Sequence, residues 1–278
     1  MTEAKNHAAI NKPDGTDADL LIVGGGSAGF AAAIRGHELG AKVIMINAGV
    51  IGGTCVNVGC VPSKTLIRAA EALHRAAQSR FAGVESTSHV SDFAGIIRQK
   101  DELVDSLRQA KYVDVLAAYE NVRLVEGRAR FVSRDAITVD GRTIRAPRIV
   151  VTTGSRPWIP PIPGLREAEP LTSTTAFELA RPLESVIVLG GRYIALECAQ
   201  MLARLGAKVT ILQRSGHILP DEDEDLTDAL AGYLREEGIG VETSVRMERV
   251  SWEKGRVIVH ARVGGEERNF HAERILCA

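Results

Sequence analysis

The sequence predicts an α/β protein, because one pattern of strand, glycine-rich turn, helix and strand occurs twice along the chain. Residues 20–47 read LLIVGGGSAGFAAAIRGHELGAKVIMIN, and residues 186–213 read VIVLGGRYIALECAQMLARLGAKVTILQ. The pentapeptide Leu-Gly-Ala-Lys-Val follows each glycine-rich turn at the same spacing, at 39–43 and at 205–209. Each segment opens on a short apolar run and closes its helix at a glycine, as βαβ units of a parallel sheet do. We therefore expect two Rossmann-like dinucleotide-binding domains in tandem.

The composition bounds the class of protein. At about 100–200 residues per domain, a chain of 278 residues fits two domains. A net charge of -1, a pI near 6.7 and 4 % aromatic residues argue against nucleic-acid partners and against binding to an anionic membrane. No apolar run approaches the roughly 18 residues of a membrane span, and residues 1–16 lack the apolar segment of a secretory signal. We expect a cytoplasmic protein in which residues 1–16 form a disordered arm.

The boundary between the domains is predicted at residues 157–163, where four prolines in seven residues indicate an extended linker. This divides the chain into a first domain at 17–157 and a second at 158–278. The remaining elements expected from apolar spacing are helices at 62–79, 101–119 and 225–238, paired strands within 121–140, and strands at 257–263 and 274–278.

The first glycine-rich turn has the full G-x-G-x-x-G spacing, at Gly24, Gly26 and Gly29. In such a turn the first glycine permits the tight bend, the second lets a pyrophosphate approach, and the third lets helix and strand pack closely. The following helix N-terminus offers N–H groups to the phosphates. The residue that usually binds ribose through a carboxylate is Asn47, which accepts a hydrogen bond without charge. We interpret the segment as a nucleotide site; the alternative is a glycine-rich turn without a ligand.

The second turn begins at Gly190 but carries Arg192 and Ala195 in place of the second and third motif glycines. Its ribose position is Gln213, followed by Arg214. No carboxylate is present to repel a 2′-phosphate and a guanidinium is available to bind one, so the pattern favours NADPH over NADH. The alternative is that Arg214 points into solvent.

Residues 52–64, GGTCVNVGCVPSK, contain two cysteines, Cys55 and Cys60, with four residues between them. Pro62 is typical of the first turn of a helix, and a helix N-terminus stabilises a thiolate. A close cysteine pair in a reducing compartment is more often catalytic or metal-binding than structural. Two alternatives are a pair of reduced core cysteines and a zinc half-site, for which no second Cys or His pair has suitable spacing.

Other polar and sulfur-bearing residues are given structural roles. Cys198 and Cys277 are expected to be small core residues. The acidic run at 221–225 is expected to be a solvated helix start that complements the helix dipole.

The motif GGTCVNVGCVPSK resembles the active-site motif of the class I pyridine nucleotide–disulfide oxidoreductases, and the resemblance covers about residues 19–278. Its valine-bearing form, with the stretches ECAQMLARLGAKVTILQRS and PPIPGL, is most similar to the mercuric reductases of that family. The resemblance implies a flavoprotein that passes electrons from NADPH through FAD to a Cys55–Cys60 disulfide and on to Hg(II), giving Hg(0). The alternative within the family is a dihydrolipoamide dehydrogenase or related disulfide reductase.

The resemblance also implies roles for individual residues. Cys60 would lie against the flavin as the charge-transfer thiolate, and Cys55 would meet the substrate, both binding the metal ion. A buried Lys64 near flavin N5 would stabilise the reduced flavin and pair with Glu197. Tyr193 would cover the nicotinamide pocket. Further FAD contacts are implied at Gly49, Gly53, Thr54, Ala129, Thr153 and Gly154.

Family members continue beyond the second nucleotide domain, return to the FAD domain and add a dimerisation domain. The resemblance therefore implies an incomplete FAD domain, an absent dimerisation domain and a homodimer only for the full-length family. A third hypothesis follows, in which the chain is an inactive truncated nucleotide-binding fragment.

Overall fold

The computed structural model describes residues 15–78 and 81–278. The arm expected at 1–16 lies outside the described residues, apart from Gly15 and Thr16. The described residues form two compact units, one made of the chain up to Asn57 with Leu103–Ser155, the other of Val58–Glu102 with Arg156–Ala278. In this part of the chain, no helix combines the length and the apolar character that crossing a membrane requires.

Strands and helices alternate around the two glycine-rich turns, and runs of consecutive strands occur at 122–151 and 240–277. The strands are β1 (Leu20–Val23), β2 (Val43–Asn47), β3 (Val122–Glu126), β4 (Arg130–Ser133), β5 (Ala136–Val139), β6 (Arg142–Arg145), β7 (Ile149–Val151), β8 (Leu171–Thr172), β9 (Ser185–Leu189), β10 (Lys208–Leu212), β11 (Gly240–Glu242), β12 (Val245–Glu253), β13 (Arg256–Val263), β14 (Glu266–Ala272) and β15 (Arg274–Cys277). The helices are α1 (Ser27–Glu38), α2 (Gly53–Asn57), α3 (Cys60–Ala77), α4 (Phe93–Arg108), α5 (Asp114–Ala117), α6 (Ser173–Ala176), α7 (Tyr193–Arg204) and α8 (Glu224–Glu236), with a π-helical turn, Gln109–Val113, between α4 and α5.

The first unit contains a parallel sheet in the order β3-β2-β1-β7. Strands β1 and β2 with α1 form the βαβ unit predicted from the first repeat. Their side chains alternate between two cores: Ile22 and Met45 pack with Phe30 of α1, whereas Leu21 packs with Ile137 of β5. Burial on both faces explains why β1 is apolar throughout.

The paired strands predicted within 121–140 were wrong for β3. Strand β3 joins β2 in parallel, and β5 pairs antiparallel with β4 and β6. Because β3 is an edge strand with exposed residues, its sequence alternates as an antiparallel strand would.

The second unit contains a parallel sheet in the order β11-β10-β9-β15-β8. Strands β9 and β10 with α7 form the βαβ unit of the second repeat, and all of β9 is buried. The predicted strand at 274–278 is β15, paired with β9, and the one at 257–263 is β13, in an antiparallel sheet with β12 and β14. The helix predicted at 225–238 is α8.

Helix α3 packs within the second unit. Leu66 and Ala70, one turn apart, are buried in a cluster that includes Ala199 and Leu202 of α7. The chain therefore passes from one unit to the other between Asn57 and Val58, inside the cysteine motif.

Candidate functional site

The first glycine-rich turn requires glycine at two of its motif positions. Gly24 has φ +117°, and a Cβ there would lie 2.2 Å from the carbonyl oxygen of Thr152. A Cβ on Gly29 would lie 2.0 Å from the oxygen of Gly24, so the start of α1 approaches β1 more closely than any side chain permits. Gly26 is the N-cap of α1, and the first turn of this helix contains no acidic residue. This cradle of backbone N–H groups fits the pyrophosphate of a dinucleotide.

The end of β7 holds this turn in place. The Thr152 hydroxyl donates to the oxygen of Gly24 at 2.9 Å and to that of Val23 at 3.1 Å. The family resemblance pointed to the next two residues, Thr153 and Gly154, which are exposed. Thr152 was missed, because a threonine at a strand end carries no signal of its own.

The end of β2 opens into a cavity of about 310 Å³ lined by Asn47, Ala48, Gly49, Glu126, Gly127 and Arg128. The structure thus brings together two of the predicted cofactor residues, Asn47 and Gly49. Predicted residue Ala129 instead packs against the core beneath β5 and β6. The Asn47 side chain accepts a hydrogen bond from the Gly25 N–H at 3.0 Å and donates to the Gly49 oxygen.

The first half of the cysteine motif forms a short loop and helix held by Asn57. The Asn57 amide donates to the oxygens of Ile51 and Gly53, both at 2.9 Å, and its oxygen accepts from Arg108 at 3.0 Å. Gly53 has φ +71°, and a Cβ on it would lie 2.8 Å from the Cα of Gly26. The loop therefore lies directly against the first glycine-rich turn. Helix α2 presents Thr54 and Cys55 as exposed residues.

The π-helical turn after α4 positions an aromatic residue that sequence reasoning missed. Its Tyr112 ring packs edge-on against Phe30 at 4.8 Å between centroids. The phenol is hydrogen-bonded to the hydroxyl of Ser27, the first residue of α1, at 3.2 Å. Single π-helical turns recur at functional sites. This turn was predicted as part of one continuous helix at 101–119, because the turn follows the same apolar pattern. The predicted helix also began later than α4, which starts at Phe93.

The second half of the motif begins a long helix at Cys60, two residues before the predicted start at Pro62. Gly59 is the N-cap, Pro62 lies in the first turn, and the Ser63 N–H donates to the Gly59 oxygen at 3.0 Å. The Cys60 side chain is exposed. A thiol here faces the positive end of an 18-residue helix.

Lys64 follows Cys60 by about one helical turn and contacts the predicted partner. Its Nζ donates to both carboxylate oxygens of Glu197 on α7, each at 2.7 Å. The expectation of a buried lysine was wrong, because the side chains are 57 % and 40 % exposed. An ion pair this exposed contributes at most about 1 kcal/mol to stability, so the pair orients Lys64 rather than holding the fold together.

The second glycine-rich turn needs glycine at fewer positions. Gly190 has φ +114° and a Cβ there would lie 2.5 Å from the Ala278 oxygen. Arg192 is the N-cap of α7 with φ -92°, a conformation open to any residue. Ala195 is fully buried in the second unit. The replacements of motif glycines by Arg192 and Ala195 are therefore compatible with the same turn.

The ribose position of this turn is shaped by Gln213. This residue is only 5 % exposed, and a Cβ on Gly191 would lie 3.2 Å from the Gln213 Cβ. Arg214 is exposed and, within the described part of the chain, its guanidinium has no hydrogen-bond or ion-pair partner.

The acidic run is exposed, as expected, but its first two residues also have partners at the second turn. Asp221 forms an ion pair with Arg192, and Glu222 accepts a hydrogen bond from the Tyr193 hydroxyl. That hydrogen bond raises the pKa of Tyr193, because ionising the phenol would remove the donated proton. Glu224, in the first turn of α8, does complement the helix dipole as expected.

The two remaining cysteines are core residues, as predicted. Cys198 is 1 % exposed, and burial, with a smaller effect of Glu197, raises the pKa of its thiol to about 12. Burial raises the pKa of Cys277 to about 11. Among the described residues, no group of three or more His, Cys, Asp or Glu side chains is arranged to hold a metal ion.

The two nucleotide-type units and the cysteine motif define a class of protein. Residues 18–278 match the family described as pyridine nucleotide-disulphide oxidoreductase. The chain belongs to this family.

Several individual proteins of known name are similar to this chain. The chain is 38 % identical over 278 residues to mercuric reductase of Bacillus cereus, covering 100 % of this chain and 44 % of the relative. It is 44 % identical over 241 residues to mercuric reductase of Streptomyces lividans, covering 84 % and 50 %. The Cu(II) complex of the HOCl-induced flavoprotein disulfide reductase RclA from Escherichia coli is a similar solved structure, with 31 % identity, a TM-score of 0.81 and coverage of 94 % and 56 %. The chain spans about half the length of the curated relatives it matches.

Proposed function

We propose that this chain is the nucleotide-binding part of a flavin-dependent mercury(II) reductase that uses NADPH. Residues 17–157 would bind FAD, and residues 158–278 would bind NADPH. The observation that carries the proposal is the start of α3, where Cys60 is the first residue of the helix and Lys64, one turn on, is ion-paired to Glu197. The similarity to mercuric reductases supports the choice of substrate.

The first unit fits FAD at three points. The N-terminus of α1 receives the pyrophosphate, the cavity at Asn47 receives the adenosine, and Gly53 brings the cysteine loop against the turn. When bound, FAD supplies a two-electron relay between nicotinamide and sulfur. Lys64 would place a positive charge beside the flavin ring, held in direction by Glu197.

The second unit fits NADPH through Arg214. The guanidinium is exposed and has no protein partner in the described chain, and Gln213 carries no charge that would repel a 2′-phosphate. Tyr193, also exposed, would cover the nicotinamide pocket.

The thiols hold the substrate. Soft thiolates prefer soft metal ions, so Cys55 and Cys60 together suit Hg(II). The overall reaction balances as NADPH + Hg²⁺ giving NADP⁺ + H⁺ + Hg⁰. Cys55, in the short helix α2, would exchange with substrate, and Cys60 would pass electrons.

A disulfide substrate is the second candidate, favoured by the similarity to a flavoprotein disulfide reductase. In that case the Cys55 thiolate would attack the substrate disulfide, and NADH or NADPH would regenerate the dithiol. Dihydrolipoamide dehydrogenase is the corresponding family activity.

Two assays run side by side separate the candidates. We expect Hg(II)-dependent NADPH oxidation, lost in Cys55→Ser and in Cys60→Ser but retained in the control Cys198→Ala, which removes a core thiol. Lipoamide-dependent NADH oxidation without mercury activity would select the disulfide reductase. No oxidation in either assay, with no FAD bound, would select the inactive fragment.

A further inference from the structure

The side chain that should bind the adenosine ribose at the first site is already engaged. The side-chain oxygen of Asn47 accepts a hydrogen bond from the Gly25 N–H at 3.0 Å, and its side-chain amide donates to the backbone oxygen of Gly49. These two hydrogen bonds connect the Asn47 side chain to the glycine-rich turn and to the loop that follows β2. It also lacks the charge that makes a carboxylate a strong acceptor for ribose hydroxyls.

A carboxylate lies beside it on the next strand. Glu126 ends β3, is paired in register with Asn47 at the end of β2, and lines the same cavity. Register partners in a parallel sheet project to the same face. The hydrogen bond from the Gly127 N–H to the backbone carbonyl oxygen of Asn47, at 3.0 Å, holds the two strand ends together.

The Glu126 carboxylate has no other role in the described chain. Its side chain is exposed, and no described residue forms a hydrogen bond or an ion pair with it. The strand ends where a ribose-binding acid is needed, at the carboxyl edge of a parallel sheet.

Arg128 is the other charged residue of the cavity. A guanidinium on its own would favour a 2′-phosphate at this position. Glu126 repels a phosphate and accepts from a free hydroxyl, so it is the group that suits the site to the unphosphorylated ribose of FAD.

From these contacts we infer that Glu126 supplies the acidic ribose contact of the first nucleotide site, binding the adenosine ribose hydroxyls of FAD in place of residue 47. The inference rests on the proposed function, because it takes FAD as the ligand of this site. The acidic residue that binds the ribose would then lie at the end of β3 instead of at the end of β2.

The test is equilibrium binding to the apoprotein of two probes, FAD and its 2′-deoxyadenosine analogue, followed by flavin fluorescence. We expect Glu126→Gln to weaken FAD binding by about tenfold or more, and to lose the preference for FAD over the deoxy analogue that the unsubstituted protein has. Glu126→Asp should keep that preference. The matched control is Glu120→Gln, which removes an exposed carboxylate just before the opposite end of the same strand and should leave both affinities unchanged.

The contrary outcomes are distinct. If Glu126→Gln, with unchanged circular dichroism, binds FAD as the unsubstituted protein does, or loses affinity equally for both probes, the inference fails while the proposed function stands. If the unsubstituted chain binds no FAD, the proposed function fails and the inference falls with it.

Discussion

The two glycine-rich turns have nearly the same backbone but place different demands on their residues. At the second motif position, Gly26 and Arg192 are both helix N-caps with φ near -90°. A Cβ on Gly26 would lie 3.4 Å from the Cα of Gly53, an ordinary contact, and the Arg192 side chain is 58 % exposed and pairs with Asp221. At this second motif position the backbone therefore does not require glycine in either turn.

The third motif position does differ between the two turns. A Cβ at Gly29 would lie 2.0 Å from the Gly24 oxygen, but Ala195 carries its Cβ in the second turn. Helix α1 thus starts closer to its strand than α7 does. The two turns also differ in the hydrogen bond beside them. At the first turn the Ser27 hydroxyl is hydrogen-bonded to the Tyr112 hydroxyl, whereas at the second turn the Tyr193 hydroxyl donates to Glu222.

The largest effect is expected from Gly29→Ala. The added Cβ would overlap a backbone oxygen that cannot move without opening the turn, so we expect a loss of about 3 kcal/mol or more in the free energy of unfolding. Urea denaturation measures it. The reverse change in the second turn, Ala195→Gly, should cost about 1 kcal/mol or somewhat more through lost packing and helix propensity.

Gly232→Ala is the matched control for that comparison. It adds the same methyl group in α8, where nothing lies within 4 Å of the new Cβ, and should stabilise the protein by about 0.5–1 kcal/mol. Equal effects of Gly29→Ala and Gly232→Ala would contradict the difference between the turns.

A pH effect distinguishes the helices that follow the turns, because α7 contains Cys198 where α1 has Ala32. Burial raises the Cys198 pKa from 9.0 to about 12, so above pH 9 the unfolded thiol loses its proton before the folded one. The native state then binds more protons, and the free energy of unfolding falls as pH rises, by up to about 1.4 kcal/mol per pH unit. Below pH 9 this contribution is fully present. Cys198→Ala should flatten the decline between pH 9 and 10.5, measured by urea denaturation; an unchanged slope would argue against a buried thiol.

The ribose positions offer a further contrast, Asn47 with Ala48 in the first unit and Gln213 with Arg214 in the second. Arg214→Gln should lower the affinity for NADPH by about tenfold and leave that for NADH unchanged, because the proposal has the guanidinium contact only the 2′-phosphate. Isothermal titration with both nucleotides measures this. The exposed Arg166→Gln is the control, and an equal loss for the two nucleotides would contradict the assignment.

The smallest effect is expected from the Arg192–Asp221 ion pair of the second turn. Both side chains are more than half exposed, so Asp221→Asn should change the free energy of unfolding by less than about 1 kcal/mol. The expected change shrinks further in 0.5 M salt, since exposed pairs are screened. A loss above about 2 kcal/mol would show that the acidic segment is an essential part of the turn.

The features predicted correctly from the sequence are those that repeat along the chain or that lie in a recognisable motif. The two βαβ units follow from the repeat, and the helix start, within two residues, follows from Pro62. The contact of Lys64 with Glu197 follows from the family resemblance. The parallel pairing of β3 was missed, because an edge strand alternates like a hairpin. The packing of α3 in the second unit was also missed, because periodicity indicates a buried face without naming what covers it.

The site residues that sequence reasoning missed act through long-range hydrogen bonds. Thr152, Arg108 and Tyr112 lie 51 to 129 positions from their partners, and nothing in the local sequence indicates the contact. The partners of Asp221 and Glu222, which are Arg192 and Tyr193, lie 29 residues away and were missed for the same reason.

The central proposal is that the first unit binds FAD and that Cys55 and Cys60 form a redox-active pair. The direct measurement is an anaerobic absorption spectrum of the purified chain with FAD, before and after one equivalent of NADPH, combined with a thiol count. The account predicts one FAD per chain, two additional reactive thiols after NADPH, and a long-wavelength band that Cys60→Ser abolishes. A protein that remains colourless after incubation with FAD, or one whose thiol count is unchanged by NADPH, would contradict it.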